Sequence, residues 1–140
     1  MTICLSKSYP KKLVEALQLL HSINPHDAFE ITWDKDLSNE DAKNTVVFLV
    51  DRRLKGLEAS TEKYLQNGFK VFALKISPHD KVDLFQIAIT VMGIWSKVLH
   101  TVKTNPQPFG YRFHSTSTRL IPFDANGSSD NESQITQHQM

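Results

Sequence analysis

Two kinds of apolar spacing alternate along the first 123 residues of the chain. Runs of apolar and β-branched residues at 3–5, 28–33, 45–50 and 69–76 have the length and composition of strands. Between them, apolar residues recur every three or four positions at 13–23 and 84–99, which predicts two amphipathic helices. A shorter helix is predicted from Leu54 to Leu65, ending at Asn67-Gly68.

The remaining segments complete an ordered series of elements. Ser38, with Asp41 three residues later, predicts a single helical turn, and residues 109–113 and 119–123 predict a closing C-terminal hairpin. The series predicts a single α/β domain over residues 1–123, with a mostly parallel central sheet flanked by helices. Residues 124–140 are rich in Asn, Ser, Gln and Asp, and we expect a disordered polar tail there.

Composition narrows the chemistry that this domain can hold. The chain has 140 residues and a formal net charge of +1, so attraction to nucleic acid must come from a local basic patch. Cys4 is the only cysteine, which excludes an internal disulfide and a cysteine-based zinc site. The six histidines lack the paired spacing of metal ligands. The ligands of any metal site must therefore be carboxylates.

Targeting signals are not evident in the sequence. The first residues lack the apolar core and cleavage pattern of a secretory signal. The longest apolar-rich stretch, residues 84–102, is interrupted by Gln86, Ser96, Lys97 and His100. We expect a cytoplasmic protein that does not associate with a membrane, and the sequence predicts no oligomeric state.

The strongest candidate site follows the apolar run at 46–50, where Asp51, Arg52 and Arg53 come in succession. A strand with this ending places an acid and two cations at the edge of the sheet where ligands bind in open α/β folds. If the first and third strands are neighbours, Ser6 ends at the same edge. The alternative interpretation is that Asp51 caps the next helix and the arginines are solvated.

Several short motifs occur in an order that is known from one family. They are Leu5-Ser6-Lys7-Ser8-Tyr9-Pro10, Val50-Asp51-Arg52-Arg53, Asn67-Gly68 before Val71-Phe72-Ala73-Leu74, and Trp95 followed by Pro108-Phe109. This order resembles the PIN-like nuclease family, in its compact toxin-type branch related to VapC ribonucleases. The resemblance covers most of the first 123 residues.

The resemblance implies a metal-dependent endoribonuclease, in which converging carboxylates hold Mg²⁺ or Mn²⁺ to activate a water. It implies RNA as substrate and an antitoxin-like protein as a possible partner. The corresponding residues in this chain would be Asp51, Asp41 and Glu40 for catalysis, Asp51, Asp41, Asp36 and Asp34 for the metal, and Arg52, Arg53, Lys7 and Lys11 for phosphate.

The first acidic motif of the family is degenerate here. Ser6 and Lys7 stand where its first aspartate and the neighbouring glutamate would be. A hydroxyl is a poor metal ligand beside a carboxylate, and an ammonium repels Mg²⁺. Two interpretations follow: Asp51 with the remaining acids forms a weaker metal site, or catalysis has been lost and the basic edge binds RNA or a protein without metal. We favour the second. Exposed apolar residues on the long helix would favour a partner surface.

Overall fold

The computed structural model describes residues 1–24, 29–53, 55–115 and 117–123. Within these ranges the chain forms six strands, three α-helices and one 3₁₀ turn at Ala42–Asn44. The strands are β1 (Thr2–Leu5), β2 (Glu30–Trp33), β3 (Thr45–Asp51), β4 (Lys70–Lys75), β5 (Gly110–His114) and β6 (Ile121–Phe123), and the helices are α1 (Lys11–Ile23), α2 (Ala59–Gln66) and α3 (Leu84–Thr104).

All six strands belong to one sheet, in the order β2-β1-β3-β4-β5-β6. The first five are parallel, and β6 pairs antiparallel with β5. The predicted α/β class with a mostly parallel sheet is therefore confirmed. The predicted C-terminal hairpin stays a prediction, because residue 116 of its connection lies outside the described residues.

The helices cover both faces of the sheet. Buried residues of α1 and α3 form one apolar cluster with alternate strand residues such as Phe48 and Phe72, whose rings stack at 4.9 Å. Leu65 of α2 packs on the opposite face against Val47 and Leu49. Since both faces of β3 are covered, its sequence is almost continuously apolar, as expected for a buried parallel strand.

Two predicted helices differ from the observed ones in length. The helix expected from position 54 begins only at Ala59, and Leu54 itself lies outside the described residues. The long helix continues past position 99 to Thr104, because Val102 still packs in the core. It ends next to Asn105, the residue before Pro106, where helical backbone is disfavoured.

The predicted turn at Ser38 was wrong in position. The backbone N–H of Ser38 donates to Asp36 Oδ1 at 3.0 Å, which forms a local turn of a different kind. The 3₁₀ turn begins four residues later, at Ala42, and Asp41 caps it by accepting a hydrogen bond at Oδ1 from the backbone N–H of Lys43 at 3.2 Å. Residues 124–140, for which disorder was predicted, lie outside the described residues.

Helix α3 lies across the middle of the sheet. By length and composition it is apolar enough to cross a bilayer, and among the described helices it alone meets that test. The core helix of a soluble domain passes the same test, and seven residues of α3 are buried. The length and composition of α3 therefore do not distinguish a membrane-spanning helix from a core helix. The expected cytoplasmic location stays a prediction.

Candidate functional site

β1 and β3 are hydrogen-bonded neighbours, as the candidate site requires. Leu5 is in register with Phe48, and the backbone N–H of Ser6 donates to the Phe48 carbonyl at 3.0 Å. Lys7 and Arg52 therefore follow strands that end on the same side of the sheet. We call this side, where the five parallel strands end, the carboxyl edge. The strand order reverses between β1 and β3, and ligands bind at such a reversal in open α/β sheets.

The carboxylate of Asp51 is fully buried, and both of its oxygens have donors. Oδ1 accepts from Lys75 Nζ at 3.0 Å and from the backbone N–H of Arg53 at 3.0 Å. Oδ2 accepts from the backbone N–H of Glu58 at 2.9 Å. Because Glu58 immediately precedes α2, Asp51 fixes the connection from β3 to that helix. The N-cap residue of α2 is Glu58, so Asp51 holds the connection to the helix and does not cap the helix itself.

Lys75 is the partner that the sequence did not indicate. It lies in register with Asp51 on the neighbouring strand, and its side chain is 11% exposed. Its ammonium also donates to the carbonyls of Arg53 at 2.8 Å and Gly56 at 2.9 Å, so three acceptors surround it. The two charges meet because of the pairing register of β3 and β4. That register cannot be predicted from the sequence of either strand alone.

The other predicted acids lie elsewhere. Asp41 precedes β3 and accepts from Asn44 Nδ2 at 2.7 Å. The six residue steps from Thr45 to Asp51 span about 20 Å, at about 3.3 Å per residue, and Asp41 lies before the first of them. Glu40 forms an ion pair with Lys35 at 2.7 Å.

The two acids nearest β2 also act separately. Asp36 accepts hydrogen bonds from Ser38, and these lower the pKa of the Asp36 carboxyl. Asp34 is exposed directly after β2, and its backbone has a positive φ of 52°. Asp34 thus lies directly after a parallel strand at the carboxyl edge, where Asp51 is the last residue of β3.

These placements do not bring the predicted metal-binding acids together. In the part of the chain that the structure describes, no three His, Cys, Asp or Glu side chains are placed to hold a metal ion. The predicted catalytic group of Asp51, Asp41 and Glu40 is not assembled, because Asp41 lies at the opposite end of β3. The residues present do not fit a Mg²⁺ or Mn²⁺ ion that several carboxylates share.

The predicted phosphate-binding residues, in contrast, lie on the carboxyl edge. Lys7 and Arg52 are exposed beyond the ends of β1 and β3. Lys11 Nζ lies 5.8 Å from the centre of the Trp33 ring at the end of β2, within cation–π range. Arg53 Nη1 donates to the Leu57 carbonyl at 3.1 Å, which orients part of its guanidinium.

A cleft of about 360 Å³ continues this surface toward β5. Its polar lining consists of Arg53, Lys75, Ser77, Asp80, His114 and Ser115. His114 is the last residue of β5, and sequence analysis did not select it. A single histidine in a strand of alternating apolar and polar residues does not indicate a function until the strand order shows which residues lie beside it.

Tyr9 fixes the loop that carries Lys7. Its hydroxyl donates to the Leu49 carbonyl of β3 at 2.8 Å, and its ring is buried. Burial raises the pKa of the Tyr9 hydroxyl well above its ordinary value. Its carbonyl accepts from Trp33 Nε1 at 2.8 Å. Tyr9 thereby connects the ends of β2 and β3 through the loop after β1.

Comparison with protein-family models, with curated proteins and with solved structures found no match for this chain.

Proposed function

We propose that the chain is a PIN-like domain that binds single-stranded RNA at its carboxyl edge without a bound metal. The observation that carries this proposal is the compensated charge of Asp51. Both of its oxygens already accept hydrogen bonds, one of them from an ammonium. Recruiting Asp51 to a metal would require the loss of donors to a fully buried carboxylate, which is costly.

Asp51 is compensated, and the other charged side chains at the ends of β1 and β3 favour the binding of an anion. Lys7, Lys11 and Arg52 follow or flank these strand ends, and two acids lie near them, Asp34 and Glu58. Glu58 Oε1 accepts from the backbone N–H of Arg52 at 2.9 Å, and the Arg52 residue is exposed. Arg and Lys bind phosphate oxygens through charge-assisted hydrogen bonds.

Trp33 supports a single strand in preference to a duplex. It is half-buried beside Lys11 at the end of β2, so an aromatic face and cations share one surface. Proteins that bind single-stranded nucleic acid combine a basic groove with aromatic side chains on which bases stack. The choice of RNA rests on the family resemblance, which is itself part of the proposal.

Binding of a fluorescently labelled RNA of about 12 nucleotides, followed by anisotropy in the presence of EDTA, tests the proposal. We expect the combined substitutions Lys7→Gln and Arg52→Gln to weaken binding about tenfold or more at ~50 mM salt. The slope of log K against log salt should become shallower by about 0.7 for each phosphate that the variant no longer neutralises. Lys43→Gln is the control for the loss of one charge away from the carboxyl edge, because this exposed lysine lies at the opposite edge of the sheet.

Two results would contradict the proposal. One is equal RNA affinity for the double variant and the Lys43→Gln control. The other is RNA cleavage that requires Mg²⁺ or Mn²⁺ and disappears in Asp51→Asn, provided that circular dichroism shows the variant to be folded. The second result would restore the interpretation of the chain as an active metal-dependent nuclease.

A further inference from the structure

The segment from position 84 to position 123 carries positive charge that no acid balances. Its sequence contains two lysines, two arginines and two histidines, and it contains no Asp or Glu. The formal net charge of the whole chain is only +1, so this segment is basic within an almost neutral molecule. The segment forms α3, β5 and β6. A surface between these elements therefore attracts anions locally.

An open cleft of about 520 Å³ lies between the second half of α3 and the strands β5 and β6. Three of the basic residues line it: Lys97 and His100 from α3, and Arg119 from the segment before β6. Lys97 and His100 are three positions apart, so they lie on the same side of the helix. All three residues are exposed. The fold thus gathers basic side chains from two separate parts of the chain around one cleft.

The basic side chains of this cleft have no acidic partner. In the part of the chain that the structure describes, no carboxylate lines the cleft, and Lys97, His100 and Arg119 form no ion pair. Lys97 Nζ donates to the Thr118 carbonyl at 2.6 Å, which holds the ammonium beside the segment that carries Arg119. Two of its three N–H groups remain for another acceptor. Because gathered cations repel one another, an anion in the cleft would stabilise the arrangement.

The cleft also has a wall suited to a flat apolar group. Tyr111 of β5 and Leu120 line it, and both are half-buried. The Tyr111 ring lies against the ring of Phe72, with the ring centres 6.0 Å apart and the planes at 19°, so its position is fixed. Bases of nucleic acids stack on aromatic side chains of this kind. Ser96 and Thr101 add hydroxyl groups that can contact a sugar.

We propose that this cleft binds a nucleotide through a terminal phosphate monoester, with the base against Tyr111. A phosphate monoester carries a charge of about −1.5 to −2 at neutral pH, whereas each phosphodiester within an RNA carries about −1. Lys97, His100 and Arg119 together match the more highly charged group. The volume of the cleft lies within the range of about 300–1,000 Å³ that small-ligand sites occupy. The monoester belongs either to a free nucleotide or to the phosphorylated 5′ end of an RNA.

The cleft is separate from the carboxyl edge. Gln86 Nε2 and Thr90 Oγ1 both donate to the carbonyl of Ser115, directly after β5, so α3 begins at the carboxyl edge. Lys97 and His100 lie about 10–15 Å beyond Thr90 along the helix, at about 1.5 Å per residue. Nucleotide binding in the cleft therefore does not depend on RNA binding at the ends of β1 and β3.

Isothermal titration calorimetry with adenosine 5′-monophosphate, in the presence of EDTA and at ~50 mM salt, tests the proposal. We expect saturable binding at least about tenfold tighter than that of adenosine or of inorganic phosphate, because only the nucleotide contacts both parts of the cleft. The combined substitutions Lys97→Gln and Arg119→Gln should weaken nucleotide binding about tenfold or more. Lys43→Gln is the control, because this exposed lysine lies before β3 and does not line the cleft.

Tyr111→Leu separates the contribution of the base from that of the phosphate. This variant should bind the nucleotide about fivefold or more weakly and bind inorganic phosphate like the wild type, because only base stacking is lost. Retained phosphate binding also shows that the variant is folded.

An RNA of about 12 nucleotides, with and without a 5′-phosphate, identifies the source of the monoester. If the source is an RNA end, the 5′-phosphate should raise the affinity of the wild type about tenfold and leave that of the Lys97→Gln, Arg119→Gln variant unchanged. If the source is a free nucleotide, the 5′-phosphate should have no effect on the wild type.

Three results would overturn the proposal. The first is no saturable nucleotide binding up to ~10 mM together with no effect of the 5′-phosphate. The second is nucleotide affinity that the double substitution in the cleft leaves unchanged. The third is equal affinity for the nucleotide and for adenosine or inorganic phosphate. The variant with Lys7→Gln and Arg52→Gln should bind the nucleotide like the wild type, so failure of the RNA site and failure of this cleft are distinguishable.

Discussion

Buried carboxylates persist in folded proteins only when their charge is compensated, and Asp51 shows how this chain achieves it. One lysine and two backbone N–H groups supply the donors. The sequence identified Asp51 as the residue of interest, but it could not show that Lys75 lies opposite. The same aspartate that resembles a metal ligand in the sequence thus holds the β3–α2 connection in place.

Removing Lys75 should therefore destabilise the fold. We expect Lys75→Met to lower the free energy of unfolding by about 3 kcal/mol, because it leaves a buried charge without its partner. Urea denaturation measures the loss. Lys43→Met, a substitution of an exposed lysine, should cost less than about 0.5 kcal/mol. Equal stability of the two variants would show that the ion pair contributes nothing measurable.

The elements themselves could largely be predicted, because each depends on local spacing and local stop signals. Asn67-Gly68 ends α2 as expected: Gly68 has a φ of 87°, and its N–H donates to the Leu65 carbonyl. The start of α2 could not be predicted, since Leu57 continues the apolar pattern but is buried before the helix begins. Apolar spacing cannot distinguish a buried loop residue from the first turn of a helix.

Gly110 at the start of β5 is a position where three elements meet closely. A Cβ there would collide with the ring of Phe123 on β6 and would lie 2.9 Å from Leu65 Cδ2 on α2. We expect Gly110→Ala to lower the free energy of unfolding by about 1–3 kcal/mol, because both neighbours are buried and must shift. Chemical denaturation measures the change.

Gly93→Ala provides the comparison for Gly110→Ala. It is a helical glycine with open space around the missing Cβ, so alanine there should stabilise α3 by about 0.5–1 kcal/mol. If Gly110→Ala left the free energy of unfolding unchanged, the side chains of Phe123 on β6 and Leu65 on α2 would be able to shift at little cost despite their burial.

At the scale of the whole molecule, the class of the fold was predictable, and so was the sheet edge at which Ser6 and Asp51 lie, while the hydrogen-bond partners of Asp51 were not. The series of elements implies a parallel sheet, and parallel strands bring their carboxyl ends to one edge. Asp41 precedes the predicted strand and Asp51 ends it, so their separation follows from the sequence once the strand is accepted.

The buried hydroxyl of Tyr9 should make the free energy of unfolding of the whole fold fall at high pH. Burial raises the pKa of Tyr9 above the ordinary value of 10.0, so the folded state favours the neutral phenol. Its contribution is fully present below about pH 10 and is lost as the pH rises, because the unfolded chain ionises first. We expect unfolding free energies at about pH 8 and about pH 11 to differ more in the wild type than in Tyr9→Phe. Parallel curves for the two proteins would contradict this assignment.

The hydrogen bonds of the two tryptophans give the molecule two separate optical reporters. Trp33 lies beside Lys11 at the carboxyl edge, and Trp95 is hydrogen-bonded to His21 between α3 and α1. The sequence contains no third tryptophan, so each indole can be silenced by phenylalanine to isolate the emission of the other. Events at the basic edge and events between α1 and α3 can thereby be recorded independently, in one unlabelled protein.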